Sequence, residues 1–337
     1  MLLLLAACHS PPHEAPPRDT APNVDSARDT APDTRPDSAA DSVPADSGRG
    51  DTGDSGAPPP PVWVELAVGD THNCAVNSIG AAVCWGYSAQ GQLDVPPGDW
   101  ASVSAGLWHS CGLTVDGTLA CWGCGIDTGQ CEAPAGAYVQ VTAGSFHTCA
   151  LDAAGTVSCW GCVGRENGQC DAPAGSYTAI SAGVDHTCAL TPEGAVECWG
   201  CLTNDEGQCA SQAGPYVEVQ AGERHTCARA ADGQVTCWGR GTFGEASPPP
   251  TAFVSVAPGY THTCGVGADG ALSCWGCEGD GYADLYQCNA PGGDTWVKVG
   301  AGSGHSCALD TAGQIDCWGC LDGAWDFDKG QCEGPPE

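Results

Sequence analysis

One unit, repeated seven times, constrains this 337-residue chain more than any other feature. Aligned on histidine, the copies fall at His72, His109, His147, His186, His225, His262 and His305, with spacings of 37, 38, 39, 39, 37 and 43 residues. A repeat of this length cannot bury a core alone, so its copies must pack against one another. The third copy runs Tyr138-Val-Gln-Val-Thr-Ala-Gly144-Ser-Phe-His147-Thr-Cys149-Ala-Leu-Asp-Ala-Ala-Gly155-Thr-Val-Ser-Cys159-Trp160-Gly161 and continues to Gly168-Gln169-Cys170. It reads as short strands joined by turns. Val139 and Val141 alternate with polar residues, and Gly144 ends that strand. Asp152-Ala-Ala-Gly155 fits a type I turn with a glycine bulge. Glycine supplies 49 residues and methionine one, which argues against long helices.

That turn places Cys149 directly opposite Cys159, with Leu151 facing Val157. Every copy carries two cysteines ten residues apart: 74/84, 111/121, 149/159, 188/198, 227/237, 264/274 and 307/317. Opposed residues on an antiparallel hairpin have Cα atoms about 4.5–5.5 Å apart, within disulfide range. A second set follows Trp-Gly: Cys124 with Cys131, Cys162 with Cys170, Cys201 with Cys209, Cys277 with Cys288 and Cys320 with Cys332. Copies one and five lack both members of this set. Tyr87 and Leu93 stand there in copy one, Arg240 and Ala246 in copy five. Paired loss argues that these cysteines bond to each other. Twelve disulfides are therefore expected: Cys74–Cys84, Cys111–Cys121, Cys149–Cys159, Cys188–Cys198, Cys227–Cys237, Cys264–Cys274 and Cys307–Cys317 on the hairpins, and five in the loops. Cys-Trp-Gly-Cys also has redox and zinc-ribbon readings. Five identical redox centres would be odd, with nothing nearby to lower a thiol pKa, and copies one and five would lack two zinc ligands.

The repeat resembles the RCC1 (regulator of chromosome condensation) family. The family pattern is matched by Ala143-Gly144, His147, Leu151, Gly155, Val157, Trp160-Gly161 and Gly168-Gln169, over roughly residues 62–337. The resemblance implies an all-β fold, a seven-bladed β-propeller. Its units are shorter than those of the family's eukaryotic founder and look closer to compact bacterial members, such as a secreted β-lactamase inhibitor of the same fold. In such rings a terminal strand often completes the last blade, so Val62–Val68 is expected to pair with the final repeat.

The chain before the repeats has a different character. Leu5-Ala6-Ala7-Cys8 resembles a bacterial lipobox, which makes residues 1–8 a signal segment ending at a lipidated Cys8, although no Lys or Arg precedes the apolar run. Residues 9–61 hold ten acidic residues, four arginines and almost no large apolar side chain. Such a stretch is expected to stay disordered, as a tether spanning about 40 Å r.m.s.. Its Arg49-Gly50-Asp51 and Gly53-Asp54-Ser55-Gly56 motifs arise from Asp-Ser/Thr repetition and lack a folded context.

The net charge is −31, from 41 acidic and 10 basic residues. That excludes a direct nucleic-acid binder, which needs a basic surface. Residues 62–337 carry 31 of the acidic and 6 of the basic residues, hence −25, a surface that favours cationic partners.

All seven histidines of residues 62–337 occupy one repeat position, which suits structure better than catalysis. They read as partly buried imidazoles bonding backbone at a blade turn. The Trp-Gly tryptophans read as core or inter-blade packing. Function is expected where the copies differ, at the two residues between Gly and His. These include Trp108, Phe146, Asp185, Arg224 and Tyr260, on turn tips that symmetry places on one rim. Trp325 and Phe327, in the last loop, complete the proposed partner-binding set. Asp322, Asp326 and Asp328 lack the EF-hand spacing for calcium. The expectation is a monomeric, non-enzymatic, cell-surface module without cofactor or metal. It would be lipid-anchored in a bacterial envelope, at the outer membrane or cell surface, and would bind a protein. A secreted hydrolase or lyase and a structural adhesion module are the alternatives.

Overall fold

A computed structural model describes residues 60–125, 128–277, 286–293, 295–320 and 329–336. Among these residues, twenty-one strands form seven three-stranded antiparallel sheets, each taken in chain order. Blade one is β1 (Trp63–Val68), β2 (His72–Asn77) and β3 (Ala82–Gly86). Blade two is β4 (Trp100–Ala105), β5 (Ser110–Thr114) and β6 (Leu119–Trp122). Blade three is β7 (Tyr138–Ala143), β8 (Thr148–Asp152) and β9 (Val157–Trp160). Blade four is β10 (Ala179–Ala182), β11 (His186–Leu190) and β12 (Val196–Gly200). Blade five is β13 (Tyr216–Ala221), β14 (His225–Ala230) and β15 (Val235–Gly239). Blade six is β16 (Phe253–Pro258), β17 (His262–Gly267) and β18 (Leu272–Gly276). Blade seven is β19 (Trp296–Ala301), β20 (Ser306–Asp310) and β21 (Ile315–Trp318). Among the described residues no helix is long and apolar enough to cross a membrane.

The outer hairpins follow from their turns. The Gly155 amide bonds the Asp152 carbonyl at 3.0 Å, and Gly155 takes φ 84°, which a side chain would strain. Asp152 Oδ1 accepts from the Ala154 and Thr156 amides at 2.9 and 2.8 Å. The register sets Cys149 opposite Cys159 and Leu151 opposite Val157. All twelve cysteine pairs are bonded as the spacing predicts, and neither cysteine of any Cys-Trp-Gly-Cys run bonds the other. Hairpin pairs have Cα atoms 4.0–4.1 Å apart, closer than opposed residues usually stand. They occupy non-hydrogen-bonded positions, the nearer of the two classes, and the covalent bond draws them in further. The loop pairs Cys124–Cys131, Cys162–Cys170, Cys201–Cys209, Cys277–Cys288 and Cys320–Cys332 span wider Cα separations of 6.1–6.4 Å. They bridge the two ends of a loop rather than two opposed strand positions, so no ladder sets their distance.

The middle strands carry small residues because both their faces meet neighbouring blades. Cys149 and Ala150 on β8 are fully buried, as are Cys188 and Ala189 on β11. A Cβ on Gly112 would lie 2.4 Å from the Trp100 ring, and one on Gly265 would lie 2.5 Å from Phe253. The core is thus a set of inter-blade layers. In one, Cys74, Val76 and Cys84 of blade one pack with Trp100, Val103 and Trp122 of blade two.

Two expectations are corrected. Simple alternation would put Val139 and Val141 on one face. A β-bulge between Tyr138 and Gln140 turns Val139 out to 56% exposure, while Val141 is 7% exposed. The same irregularity recurs in five other inner strands. Val62–Val68 does not pair with the final repeat either: β1 pairs with β2 of its own blade. Each repeat is a complete blade, so no strand is left to share. The ring closes through Gln331, whose carbonyl accepts from Asn73 Nδ2 at 2.9 Å and from Trp85 Nε1 at 3.1 Å.

Candidate functional site

The Gly-x-x-His turn joins each inner strand to its middle strand and surrounds the axis. Its glycine is required by close approach. A Cβ on Gly69, Gly106, Gly144 or Gly183 would lie 2.2–2.4 Å from the glycine carbonyl of the next blade. The histidine is a joint. His72, His109, His147, His186, His225 and His262 place Nε2 2.7–2.9 Å from the hydroxyl that follows the next histidine. His305 meets Asn73 Oδ1 at 2.8 Å. Because Asn73 Nδ2 donates to Gln331, its oxygen faces His305, and an amide oxygen only accepts. His305 therefore carries its proton on Nε2. Ser110, Thr148, Thr187, Thr226 and Thr263 donate to the preceding Gln or Glu carbonyl at 2.8–3.2 Å, so they too accept from histidine. The seven Trp-Gly tryptophans donate Nε1 to the carbonyls at this same Gln or Glu position at 2.8–3.1 Å.

These histidines are wholly buried, not partly, and their partners are side chains of the next blade rather than backbone. All seven Nδ1 atoms are buried without a hydrogen-bond partner. Burial, reinforced in several by neighbouring histidines or Arg240, holds the imidazoles far below their ordinary pKa, at about 3 to about 4.

The seven Gly-x-x-His glycines and four of the residues that follow them, Asp70, Ser145, Val184 and Glu223, line a small axial cavity of about 70 Å³, beside a second one of about 260 Å³ walled by the inner strands. Asp70, Ser145, Glu223 and Ser303 take this position in blades one, three, five and seven. Ser145 Oγ donates to Asp70 Oδ2 at 2.8 Å, and Ser303 Oγ donates to Glu223. Burial pushes Asp70 up to about 6. Burial, and next the charge of Asp70, push Glu223 up to about 8. Sequence reasoning passed over this set because each residue alone is ordinary. The signal was there: acid, serine, acid, serine at one position in every second copy.

The second residue after glycine forms the outer rim. Trp108 and Phe146 meet edge to face, with centroids 5.6 Å apart, and Arg165 lies 3.8 Å over the Phe146 ring. Asp185 accepts from Asn204 Nδ2 at 3.0 Å, and Arg224 pairs with Glu206 at 2.9 Å. Tyr260, a first-position residue, carries Arg240 4.5 Å above its ring. The structure brings Trp108 and Phe146 together, with Tyr260 in a separate cluster on blades five and six. Cys8, Asp322, Trp325, Asp326, Phe327 and Asp328 lie outside the described residues. Among the described residues, no group of three or more His, Cys, Asp or Glu is arranged to hold a metal.

Copy five shows what replaces a loop disulfide. Arg240 Nε bonds Glu245 Oε1 at 2.8 Å, with the side chains 9% and 0% exposed, and Arg240 also donates to the Tyr260 carbonyl. Glu245 stands where other copies carry glutamine. Breaking one side of a buried pair strands the other charge, at about 3–5 kcal/mol. Glu245→Gln alone should destabilise the propeller by that order in urea titration. Adding Arg240→Cys and Ala246→Cys should recover most of the loss by restoring a staple. An unchanged midpoint in the single variant would refute the pair's role.

Comparison with known proteins agrees with this architecture. The model of the regulator of chromosome condensation (RCC1) repeat matches residues 100–130, 138–169, 177–208, 216–245 and 296–322. No curated protein matches the chain by sequence. Among solved structures, the ectodomain of the Arabidopsis thaliana receptor kinase ACR4 is 22% identical, with TM-score 0.62, covering 82% of this chain and 99% of that one. The ectodomain of the Physcomitrella patens receptor kinase CR4 is 22% identical, with TM-score 0.61, covering 77% and 74%. Prp20p of Saccharomyces cerevisiae, studied for binding to Gsp1p and histones, is 20% identical, with TM-score 0.60, covering 72% and 80%. At these identities the likeness is one of fold. Seven blades built on Gly-x-x-His and Trp-Gly, together with the matched repeats, make this chain a member of the RCC1 repeat family.

Proposed function

We propose that this chain is a non-enzymatic binding module that captures a protein partner through its Gly-x-x-His rim. One observation carries the reading. The repeated polar groups are consumed in the joints, and the copies differ at the rim. The seven histidines are neutral and enclosed near pH 7, so they do not serve proton transfer. The axial cavities of about 70 and 260 Å³ fall below the ~300–1,000 Å³ of small-molecule sites, while open grooves of about 470 and 580 Å³ lie away from the rim, beside Phe253 and Leu272 and beside Trp63 and Ile315. Trp108 and Phe146 are half-buried aromatics on loops held by rigid blades, the residue type that anchors interfaces.

Twelve disulfides suit an oxidising compartment. Lipidation at Cys8 and an acidic tether over residues 9–61 would hold residues 62–337 at the surface of a bacterial envelope. Replacing Trp108, Phe146 and Tyr260 together by Ala should abolish partner capture by the full chain without shifting thermal unfolding by more than a few degrees. Unchanged capture would clear this rim. Cys8→Ser should release the chain into the soluble fraction and remove its lipid mass; an unshifted mass would remove the anchor.

A further inference from the structure

The rim also states what its partner should carry. Five of the six basic residues in 62–337 are engaged by the chain's own groups. Arg224, Arg229, Arg240 and Lys298 pair with Glu206, Glu218, Glu245 and Glu65, and Arg165 covers Phe146. Asp70 and Glu223 are different. They are recessed at the axial mouth, hydrogen-bonded to serines, and close enough for the charge of one to disfavour the other. The nearest cations, Arg224 and Arg240, offset Glu223 in part while held by other carboxylates. Beside this acidic centre stand Trp108 and Phe146, so one face offers both an apolar contact and a recessed carboxyl pair without a cation of its own.

We propose that the occupant of this rim is a basic polypeptide segment. One of its lysine or arginine side chains lies over the axial mouth at Asp70 and Glu223, and its neighbouring residues pack on Trp108 and Phe146. Charge complementarity selects the occupant: a surface of net −25 with four of its six cations held in ion pairs repels acidic partners and steers basic ones. The inference rests on the rim being the binding face.

The test uses the full chain and two labelled short peptides, one alternating lysine and serine, the other glutamate and serine, read by fluorescence anisotropy. The lysine peptide should bind and the glutamate peptide should not. Asp70→Asn with Glu223→Gln should weaken lysine-peptide binding about tenfold or more, since the lost partners are recessed charges. Glu193→Gln with Asp316→Asn replaces the same number of carboxyl groups at exposed positions away from the axis and should change binding less than about twofold. Equal weakening by both double variants would reduce the effect to a general field and overturn the proposal. A second measurement on the unaltered chain does not depend on a variant folding. A bound cation favours ionised carboxylates, so lysine-peptide binding near pH 7 should release protons, seen by calorimetry in buffers of different ionisation heat. Absence of release would also overturn it. If the Trp108, Phe146 and Tyr260 triple variant loses partner capture while the Asp70/Glu223 variant keeps it, the rim stands and the cationic occupant falls. If neither variant loses capture, both fall.

Discussion

Lowering the pH from 6.5 toward 4 is expected to unfold the propeller. Each ring histidine is held neutral at about 3 to about 4 when folded, against 6.5 when exposed. Between those values the unfolded chain binds more protons, so stability is fully present above 6.5 and is lost as pH falls. At pH 5 each histidine contributes a loss of about 2 kcal/mol. Seven together approach the whole stability of an ordinary domain, ~5–15 kcal/mol. Asp70 and Glu223 act in the opposite sense. Their raised values mean that the folded state gains as pH falls from about 8, but they are two groups against seven. Tryptophan fluorescence followed from pH 8 to pH 3 should show cooperative loss of structure well above the carboxylate range. A propeller intact at pH 4 would refute the neutral-joint account.

Full reduction is the second large effect. Each hairpin disulfide closes a loop between cysteines ten apart, worth up to about 3 kcal/mol in the chain-entropy model. Reduction should come in two stages, because access governs thiol exchange. In the hairpin pairs the seven middle-strand cysteines are 0% exposed, from Cys74 to Cys307, while their outer-strand partners are half-buried in six pairs and buried at Cys84. Three loop pairs, Cys124–Cys131, Cys162–Cys170 and Cys277–Cys288, have both members half-buried, whereas Cys201 and Cys320 are buried beside half-buried Cys209 and Cys332. Mass-mapped alkylation during titration with dithiothreitol should label Cys124–Cys131, Cys162–Cys170 and Cys277–Cys288 first, with the blades retained. The seven hairpin pairs should follow together, with loss of the fold. Hairpin pairs opening first would show that the blades breathe more than their burial implies.

The hairpins are legible in the sequence because everything they need is local. A ten-residue spacing and Asp-Ala-Ala-Gly set the turn, and the turn sets the register of Cys149 on Cys159. Seven equal copies then make a ring legible through the family they resemble. Val139 is not legible, since a bulge changes which face a residue occupies without changing the residue. Nor are the histidine partners. His305 meets Asn73, 232 positions away, only because the last blade closes on the first.

The same division holds at the candidate site. Sequence alone determined the repeat, the blade, the staples and the fact that variation gathers beside the histidine, because those follow from short-range geometry copied seven times. Tertiary structure alone decided that Asp70 and Ser145 touch across 75 residues, and Glu223 and Ser303 across 80. Closing a ring brings every copy of one position to a single axis, so residues remote along the chain share one small volume and one electrostatic field.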